Sequence, residues 1–275
     1  MVNRLTEKAY ALRQEVVKLI YKNKCGHMGG DLSVMDILVT LYYHETNTAV
    51  CRKGDRNRDR FILSKGHTVE ALYVVLADCG FFPGEDLDTY SQFGSTYIGH
   101  PNNKINGIEI NSGSLGHGLS VACGMALAGK KDNLDYRVYT VMGDGELSEG
   151  SVWEGAMFAG HYRLDNLCAV VDCNGLQISG TTEEVMNHTR LKEQFESFGW
   201  KVLGAGGNDI GELIRGFEQA RKEKGRPTLI IAGTTKGCGV SFMENQVSWH
   251  HRVPNEEEYL RALKELEEKR MSCHA

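Results

Sequence analysis

The sequence has little proline, no long apolar run and no basic surplus, and each shortage excludes a class of protein. Proline accounts for only 4 of 275 residues, and no linker rich in proline or serine divides the chain. No apolar stretch approaches the roughly 20 residues of a membrane helix, and the first residues lack the apolar segment of a secretory signal. We therefore expect a single domain over residues 1–275, located in the cytoplasm and without a membrane partner.

The charge balance argues against a nucleic-acid partner. The chain has 31 Lys and Arg against 36 Asp and Glu, a net charge of −5, and contains no basic block. A protein that coats nucleic acid needs such a block to bind phosphates. The hydrophobic fraction of 41% is sufficient for a core, so the composition is typical of a soluble globular protein.

The cysteines lack the spacing of a zinc site or a disulfide framework. No two of them form a C-x-x-C pair, and they are scattered through apolar segments, so we expect reduced, buried thiols. Their positions are Cys25, Cys51, Cys79, Cys123, Cys168, Cys173, Cys238 and Cys273.

Short β-branched runs alternate with helical patterns, which predicts an α/β fold: a parallel sheet with helices on both faces. The predicted strands are 61–63, 137–142, 167–172, 200–203 and 228–232. Apolar residues at helical spacing predict helices over 5–20 and 256–271, and Ser33 with Asp36 predicts the start of another. Ligands of such sheets bind beyond the carboxyl ends of the strands.

Two polar turns follow predicted strands and could hold a metal ion. Gly143-Asp144-Gly145 follows one strand and Asn174 follows the next. Asp144 and Asn174 offer hard oxygen ligands, and a carbonyl of the turn at 175–177 could be a third, which suits Mg²⁺ bound to phosphate oxygens. Taken singly, such dipeptides are usually ordinary turns. Their pairing after successive strands favours the metal site.

Five loop motifs, in register with the two polar turns above, give the chain a resemblance to transketolases over nearly its whole length. The segment 143–150 with Asp172-Cys173-Asn174-Gly175 resembles their thiamine diphosphate signature. The histidine and glycine loops that resemble theirs are 25–30, 64–67, 99–101, 113–118 and 236–240 with Trp249-His250-His251.

Transfer of the family's roles implies a set of active-site histidines, a residue type that protonates near neutral pH. The resemblance assigns His27, His67, His100 and His250 to substrate hydroxyls, the diphosphate and proton transfer, with His251 as the alternative to His250. His117 has a weaker polar role near the cofactor. The remaining histidines are expected to be structural or solvated, and they are His44, His161, His188 and His274.

The resemblance also implies the cofactor contacts. Asp144 and Asn174 would bind the metal through their side chains and Leu176 through its carbonyl, with Mg²⁺ or Ca²⁺ as the ion. Gly145 would donate its N–H to the diphosphate. The remaining contacts to thiamine diphosphate would come from the backbone of Gly113, the side chains of Leu115 and Ile178, and Glu149 as an acid at an interface between chains.

The familiar transketolases have two further domains that this sequence does not resemble. The family's pyrimidine-binding domain carries the glutamate that activates the cofactor, so we expect a partner chain to supply that domain and the C-terminal one. The implied activity is transfer of a two-carbon ketol unit from a ketose phosphate to an aldose phosphate. The sequence does not distinguish an enzyme of the pentose phosphate route from one that acts on an unusual ketose.

Three alternatives remain. The chain could belong to another thiamine diphosphate enzyme, such as a 2-oxo acid dehydrogenase or deoxyxylulose-phosphate synthase, but the many histidines favour polyhydroxylated sugars. It could bind a dinucleotide, yet no G-x-G-x-x-G follows the first strand. Finally, it could be a scaffold that has lost its chemistry, against which the retained His, Asp and Asn motifs argue.

Overall fold

A computed structural model of the chain describes residues 1–47, 54–187 and 190–273. The helices are α1 (Val2–Asn23), α2 (Met28–Thr40), α3 (Val69–Asp78), α4 (His117–Lys131), α5 (Gly150–His161), α6 (Thr182–Val185), α7 (Leu191–Ser197), α8 (Ile210–Lys222) and α9 (Glu256–Ser272). The strands are β1 (Arg60–Leu63), β2 (Val138–Gly143), β3 (Leu167–Cys173), β4 (Lys201–Gly206) and β5 (Thr228–Gly233). Cys51, His188 and the C-terminal His274 lie outside the described residues.

The five strands form one parallel sheet in the order β1-β2-β3-β5-β4. Each predicted strand is present within a few residues of its expected bounds. Most residues of β1, β2, β3 and β5 are buried, as expected for strands covered on both faces, whereas β4 at the edge is only partly buried. The predicted fold class is confirmed.

Helices cover both faces of the sheet, and alternate side chains of each strand point to opposite layers. Tyr139 and Val141 of β2 pack with α1, α2, α3, α8 and α9. Val138 and Met142 of the same strand pack with α4, α5 and α7. In the described part of the chain, no helix has both the length and the apolar character needed to cross a membrane.

Helix α2 begins earlier than the sequence predicts. Ser33 is not its first residue: the helix starts at Met28, and the Ser33 hydroxyl donates to the Gly30 carbonyl at 2.9 Å. The two glycines in the first turn hid this start, since glycine is a poor helix former. Close packing explains them, because a Cβ on Gly29 would lie 2.8 Å from the carbonyl oxygen of Trp249.

The described cysteines are free thiols, as expected, although their burial differs. Only Cys123 and Cys168 are buried, and the others are half-buried: Cys25, Cys79, Cys173, Cys238 and Cys273. The expectation of buried thiols is therefore correct for two positions and too strong for the rest.

A buried ion pair joins the first two helices. The Arg13 guanidinium of α1 donates to the Asp36 carboxylate of α2, and the two side chains are 1% and 4% exposed. Arg13 Nε also donates to the Leu32 carbonyl at 3.0 Å, and the Asn208 amide donates to Asp36 at 2.7 Å. Both charged groups are thus hydrogen-bonded, the condition under which a buried pair is tolerated.

Replacement of Arg13 by methionine should destabilise the fold strongly, because it leaves the Asp36 charge buried without its partner. We expect a loss of about 3–5 kcal/mol in the free energy of unfolding. The control is Lys22→Met, which breaks the exposed Lys22–Asp88 pair and should cost at most about 1 kcal/mol. Equal losses for the two variants in urea denaturation would contradict this prediction.

Candidate active site

A cavity of about 390 Å³ lies at the carboxyl ends of four adjacent strands. Lys65 follows β1, Asp144 follows β2, Asn174 follows β3 and Lys236 follows β5, and all four residues line the cavity. The structure brings eleven predicted site residues to its wall: His27, His67, His100, Gly113, Leu115, Asp144, Gly145, Asn174, Leu176, Ile178 and His250.

The loops after β2 and β3 are joined through Asp144, which is 5% exposed. Its carboxylate accepts the N–H of Gly145 at 2.8 Å and the N–H of Gly175 at 2.6 Å. Burial raises its pKa, although these N–H donors oppose that shift. The Asn174 side-chain oxygen accepts the N–H of Leu176 at 3.2 Å. The two turns therefore form one rigid edge of the cavity.

The oxygen donors on this edge fit a hard cation. Asp144 offers a carboxylate, Asn174 an amide oxygen and Leu176 a main-chain carbonyl, the donor types that Mg²⁺ and Ca²⁺ prefer. Within the described ranges, no three His, Cys, Asp or Glu side chains group as metal ligands. A site of the softer, zinc type is thus not seen there.

A buried ion pair fixes the first of two lysines at the cavity. Lys65 Nζ donates to Asp172, which also accepts the hydroxyls of Ser33, at 2.6 Å, and of Thr234. Burial acts to raise the pKa of Asp172, but the charge of Lys65 and these hydrogen bonds lower it overall. Asp172 is therefore a carboxylate that holds the ammonium group of Lys65 in place.

The second lysine, Lys236, is only 2% exposed. Its Nζ lies 3.0 Å from Nδ1 of His250 and 3.4 Å from the Leu176 carbonyl oxygen. Burial and the charge of Lys65 lower its pKa to about 8, against the opposing effect of Asp172 and Asp144. Two ammonium groups at one cavity favour an anionic ligand.

Sequence reasoning missed both lysines, as well as Glu146. Lys65 and Lys236 stand inside the quoted motifs, and their positions after strands were the available signal. Glu146 accepts the N–H groups of Gly116, at 2.8 Å, and Gly143, at 3.1 Å, and the hydroxyl of Ser64. It thereby ties the glycine loop to the ends of β1 and β2.

Glu149 does not reach the cavity. It is exposed and precedes the first turn of α5, and its backbone N–H donates to the Glu146 carbonyl at 3.0 Å. Its assignment as a cofactor contact at an interface between chains stays a prediction. The buried acid beside this turn is Glu146.

Four histidine rings lie around that of His27. Ring centroids of His67, His100, His250 and His251 are 5.2, 6.3, 5.8 and 4.6 Å from that of His27. His250 lines the cavity beside Lys236, whereas His251 is exposed. The structure therefore favours His250 over its neighbour for the inner position.

Burial and nearby positive charges keep the inner histidines neutral. Burial, then His251, His100 and the two lysines, lower the pKa of His27 to about 4. Burial and Lys236 lower the pKa of His250 to about 3, and burial with Lys65 holds that of His67 well below its usual value. Neutral imidazoles can accept protons from hydroxyl groups at neutral pH.

The remaining predicted contacts form the rim. Gly113 has a φ of +147°, and a Cβ there would lie 3.0 Å from the His100 ring. Leu115 is half-buried, and Ile178 is 71% exposed, so both offer apolar surface to a ligand. His117 is exposed at the start of α4, with Nδ1 3.2 Å from the Leu115 carbonyl oxygen.

Of the histidines with predicted structural or solvated roles, the two that the structure describes lie away from the cavity. His44 is half-buried beyond α2, and His161 is exposed at the end of α5.

The fold and the cavity define a class: α/β enzyme domains that hold a phosphate-bearing cofactor at the carboxyl ends of parallel strands. The chain belongs to the transketolase family, since residues 5–267 match the family described as "Transketolase, thiamine diphosphate binding domain". The predicted family, with its ketol-transferring type of enzyme, is confirmed.

Two curated relatives match almost end to end. The chain is 48% identical to an apulose-4-phosphate transketolase subunit of Phocaeicola vulgatus over 94% of its length and 92% of the relative. It is 40% identical to 6-deoxy-6-sulfo-D-fructose transketolase subunit SqwG of a Clostridium species, covering 96% of each. Both relatives are named as subunits.

The chain also resembles solved structures of transketolases whose chains are longer than this one. The transketolase of Campylobacter jejuni superposes with a TM-score of 0.88 and 32% identity over 98% of this chain. This chain spans 45% of that transketolase.

The neutral state of His27 can be tested by NMR with ring-labelled histidine. We expect its signal, assigned with a His27→Gln variant, to show the unprotonated ring from pH 8 to pH 5, with a midpoint near 4. In denaturant the ring should titrate near about 6.5. Because the unfolded chain binds this proton at a higher pH than the folded chain does, His27 should lower the free energy of unfolding as pH falls from about 6.5 to about 4. A folded-state midpoint near that of the denatured chain would contradict the assignment.

Proposed function

We propose that this chain is the diphosphate-binding subunit of a two-chain transketolase. The observation that carries the proposal is the meeting, in one cavity, of two buried lysines, a hard-oxygen edge and neutral histidines. A diphosphate would pair with the ammonium groups of the lysines, a divalent ion would be coordinated by the oxygens, and sugar hydroxyls would hydrogen-bond to the histidines. The donor types present therefore match the three parts of a thiamine diphosphate and sugar complex.

The cofactor contacts follow from this arrangement. Asp144, Asn174 and the Leu176 carbonyl would hold Mg²⁺, or Ca²⁺, against the diphosphate. Gly145 would donate its N–H to the same group, as would His67 and His250 through their rings. The thiamine rings would contact Gly113, Leu115 and Ile178, with Glu149 at the interface between chains. We add Lys65 and Lys236 as contacts to the diphosphate, because both line the same cavity.

When bound, thiamine diphosphate supplies the electron sink for breaking a carbon–carbon bond. The protein positions the sugar and moves protons. Nδ1 of His27 is buried and accepts or donates no hydrogen bond within the described residues, so it is the atom we propose to take a proton from a substrate hydroxyl. His67 and His100 orient the sugar beside it. A neutral ring suits this task, because a protonated one could not accept the proton.

The substrates and the partner are the remaining parts of the proposal. We infer transfer of a two-carbon ketol unit from a ketose phosphate to an aldose phosphate, in the cytoplasm. The relatives are named for apulose-4-phosphate and 6-deoxy-6-sulfo-D-fructose, so an unusual ketose is favoured over the pentose phosphate route. A second polypeptide would supply the pyrimidine-binding and C-terminal domains, with two copies of each chain in the complex.

The metal assignment predicts that Asp144→Asn weakens cofactor binding, since the amide keeps the shape but removes the charge. Calorimetric titration of the two-chain complex with thiamine diphosphate and Mg²⁺ should show a loss of at least roughly 100-fold, beyond the ~10–100-fold typical of outer-sphere changes. The control is Asp132→Asn, which alters an exposed carboxylate paired with Arg56. Unchanged affinity in Asp144→Asn would refute the ligand set.

The two-chain proposal predicts that activity requires the partner. The purified chain alone should give no ketol transfer between a ketose and an aldose phosphate, and addition of the co-purifying partner should restore it, because the resemblance to transketolases implies that a glutamate of the pyrimidine-binding domain activates the cofactor. Product formation is followed by mass spectrometry with a panel of ketose donors. Full turnover by the isolated chain would overturn the proposal.

A further inference from the structure

Two buried carboxyl groups, those of Asp31 and Glu70, play no part in the proposed chemistry. Both side chains are 0% exposed. Asp31 accepts the N–H of Ala71 at 2.9 Å, and Glu70 accepts the hydroxyl of Tyr90. The remaining oxygens, Oδ2 of Asp31 and Oε2 of Glu70, receive no N–H or O–H from any other described residue. The two acids are neighbours, because Asp31 accepts the N–H of the residue that follows Glu70, and the charge of Glu70 acts directly on the Asp31 carboxyl group.

The burial of two neighbouring acids without a paired cation among the described residues favours a shared proton. Two ionised carboxylates cannot hydrogen-bond, since neither carries a donor, and their repulsion is severe in a buried site. The nearby cation, Lys65, acts on Asp31 only at a distance because its own ion pair is with Asp172. One proton between the two carboxyl groups would remove this repulsion and supply the donor that both remaining oxygens lack within the described ranges.

The pair lies between the segments that carry two of the histidines. Asp31 is in the first turn of α2, four residues after His27, and Glu70 is in the first turn of α3, three residues after His67. A Cβ on Gly26, the residue before His27, would lie 2.9 Å from Oε1 of Glu70. The backbone at His27 thus packs directly on the Glu70 carboxyl group.

The same face of α3 also holds the segment of the third histidine. Tyr90, which lies ten residues before His100, donates its hydroxyl to the Glu70 carboxyl group. One turn further along α3, the Tyr73 hydroxyl lies 3.0 Å from the Ile98 carbonyl oxygen and 3.2 Å from that of His100. Glu70 and Tyr73 together fix both ends of the stretch that leads to His100.

We propose that Asp31 and Glu70 are positioning residues whose shared proton holds the segments of His27, His67 and His100 in one register. The catalytic consequence rests on the proposed function, whereas the shared proton does not. Glutamine at position 70 can supply a hydrogen-bond donor without any proton uptake, so Glu70→Gln imitates the protonated pair. Alanine at the same position removes the link.

The pH dependence has a definite sign. Burial and mutual repulsion raise the pKa of Asp31, and burial raises that of Glu70 against the hydrogen bond from Tyr90. The folded chain thus keeps a proton that the unfolded chain releases, and the resulting stability is lost as pH rises through the folded-state pKa. Lys65 opposes the shift of Asp31, while the other titratable groups that face the cluster are Tyr90, Tyr73 and Cys25.

The first test measures the melting temperature of the full chain between pH 6.5 and pH 8. As the pH rises from 6.5 to 8, the melting temperature of wild type should fall by roughly 3 °C more than that of Glu70→Gln. The matched control is Glu45→Gln, since Glu45 is another buried glutamate that accepts a tyrosine hydroxyl, from Tyr139 at 2.8 Å. This control should keep the wild-type slope. Parallel slopes in wild type and Glu70→Gln would overturn the shared proton.

The second test measures kcat/KM of the two-chain enzyme at pH 7. In Glu70→Ala and Tyr90→Phe, kcat/KM should fall roughly 10–100-fold, as expected when reacting groups are misplaced. In Glu70→Gln, kcat/KM should remain within about threefold of wild type. Above pH 7, Glu70→Gln should also lose less of its activity than wild type does. Wild-type kcat/KM in both Glu70→Ala and Tyr90→Phe would overturn the positioning role. Absence of ketol transfer in wild type would instead refute the proposed function and leave the melting result standing.

Discussion

The buried ion pair between Lys65 and Asp172 is the interaction on which the cavity depends. Removal of two charges from water is costly, and such pairs seldom add stability, so their value lies in fixing geometry. Asp172 accepts hydrogen bonds from Ser33 on α2 and Thr234 after β5 as well as from Lys65 after β1. One carboxylate at the end of β3 therefore ties together three other elements that bear cavity residues.

The electrostatics of the histidines follow from the same arrangement. Burial is the largest cause of the low pKa of His27 and of His250, and the charges of Lys65 and Lys236 add to it. Cations that attract an anionic group therefore also keep the imidazoles deprotonated. Because one set of charges produces both effects, the proposed phosphate binding and the proposed proton acceptance depend on the same two lysines.

The sheet and the pair Asp144 and Asn174 could be located from local signals, namely β-branched runs and glycine-flanked polar turns, whereas the other predicted site residues came only from the resemblance to transketolases. The start of α2 could not be located in this way, since Gly29 and Gly30 fit only through packing against distant residues such as Trp249. Lys65, Lys236 and Glu146 were missed because burial gives them their importance, and burial is not visible in a motif. Glu149 and Glu146 lie three residues apart, yet only the latter is buried.

The strand order has a consequence for how the chain is made. β4 is synthesised before β5, yet its sheet partner among the described residues is β5, which inserts between β3 and β4. During vectorial synthesis on the ribosome, β4 has no template on which to dock until residues 228–233 have emerged. Lys236 and His250 follow later still, so the wall of the cavity is complete only after the whole sheet and residue 250 have emerged.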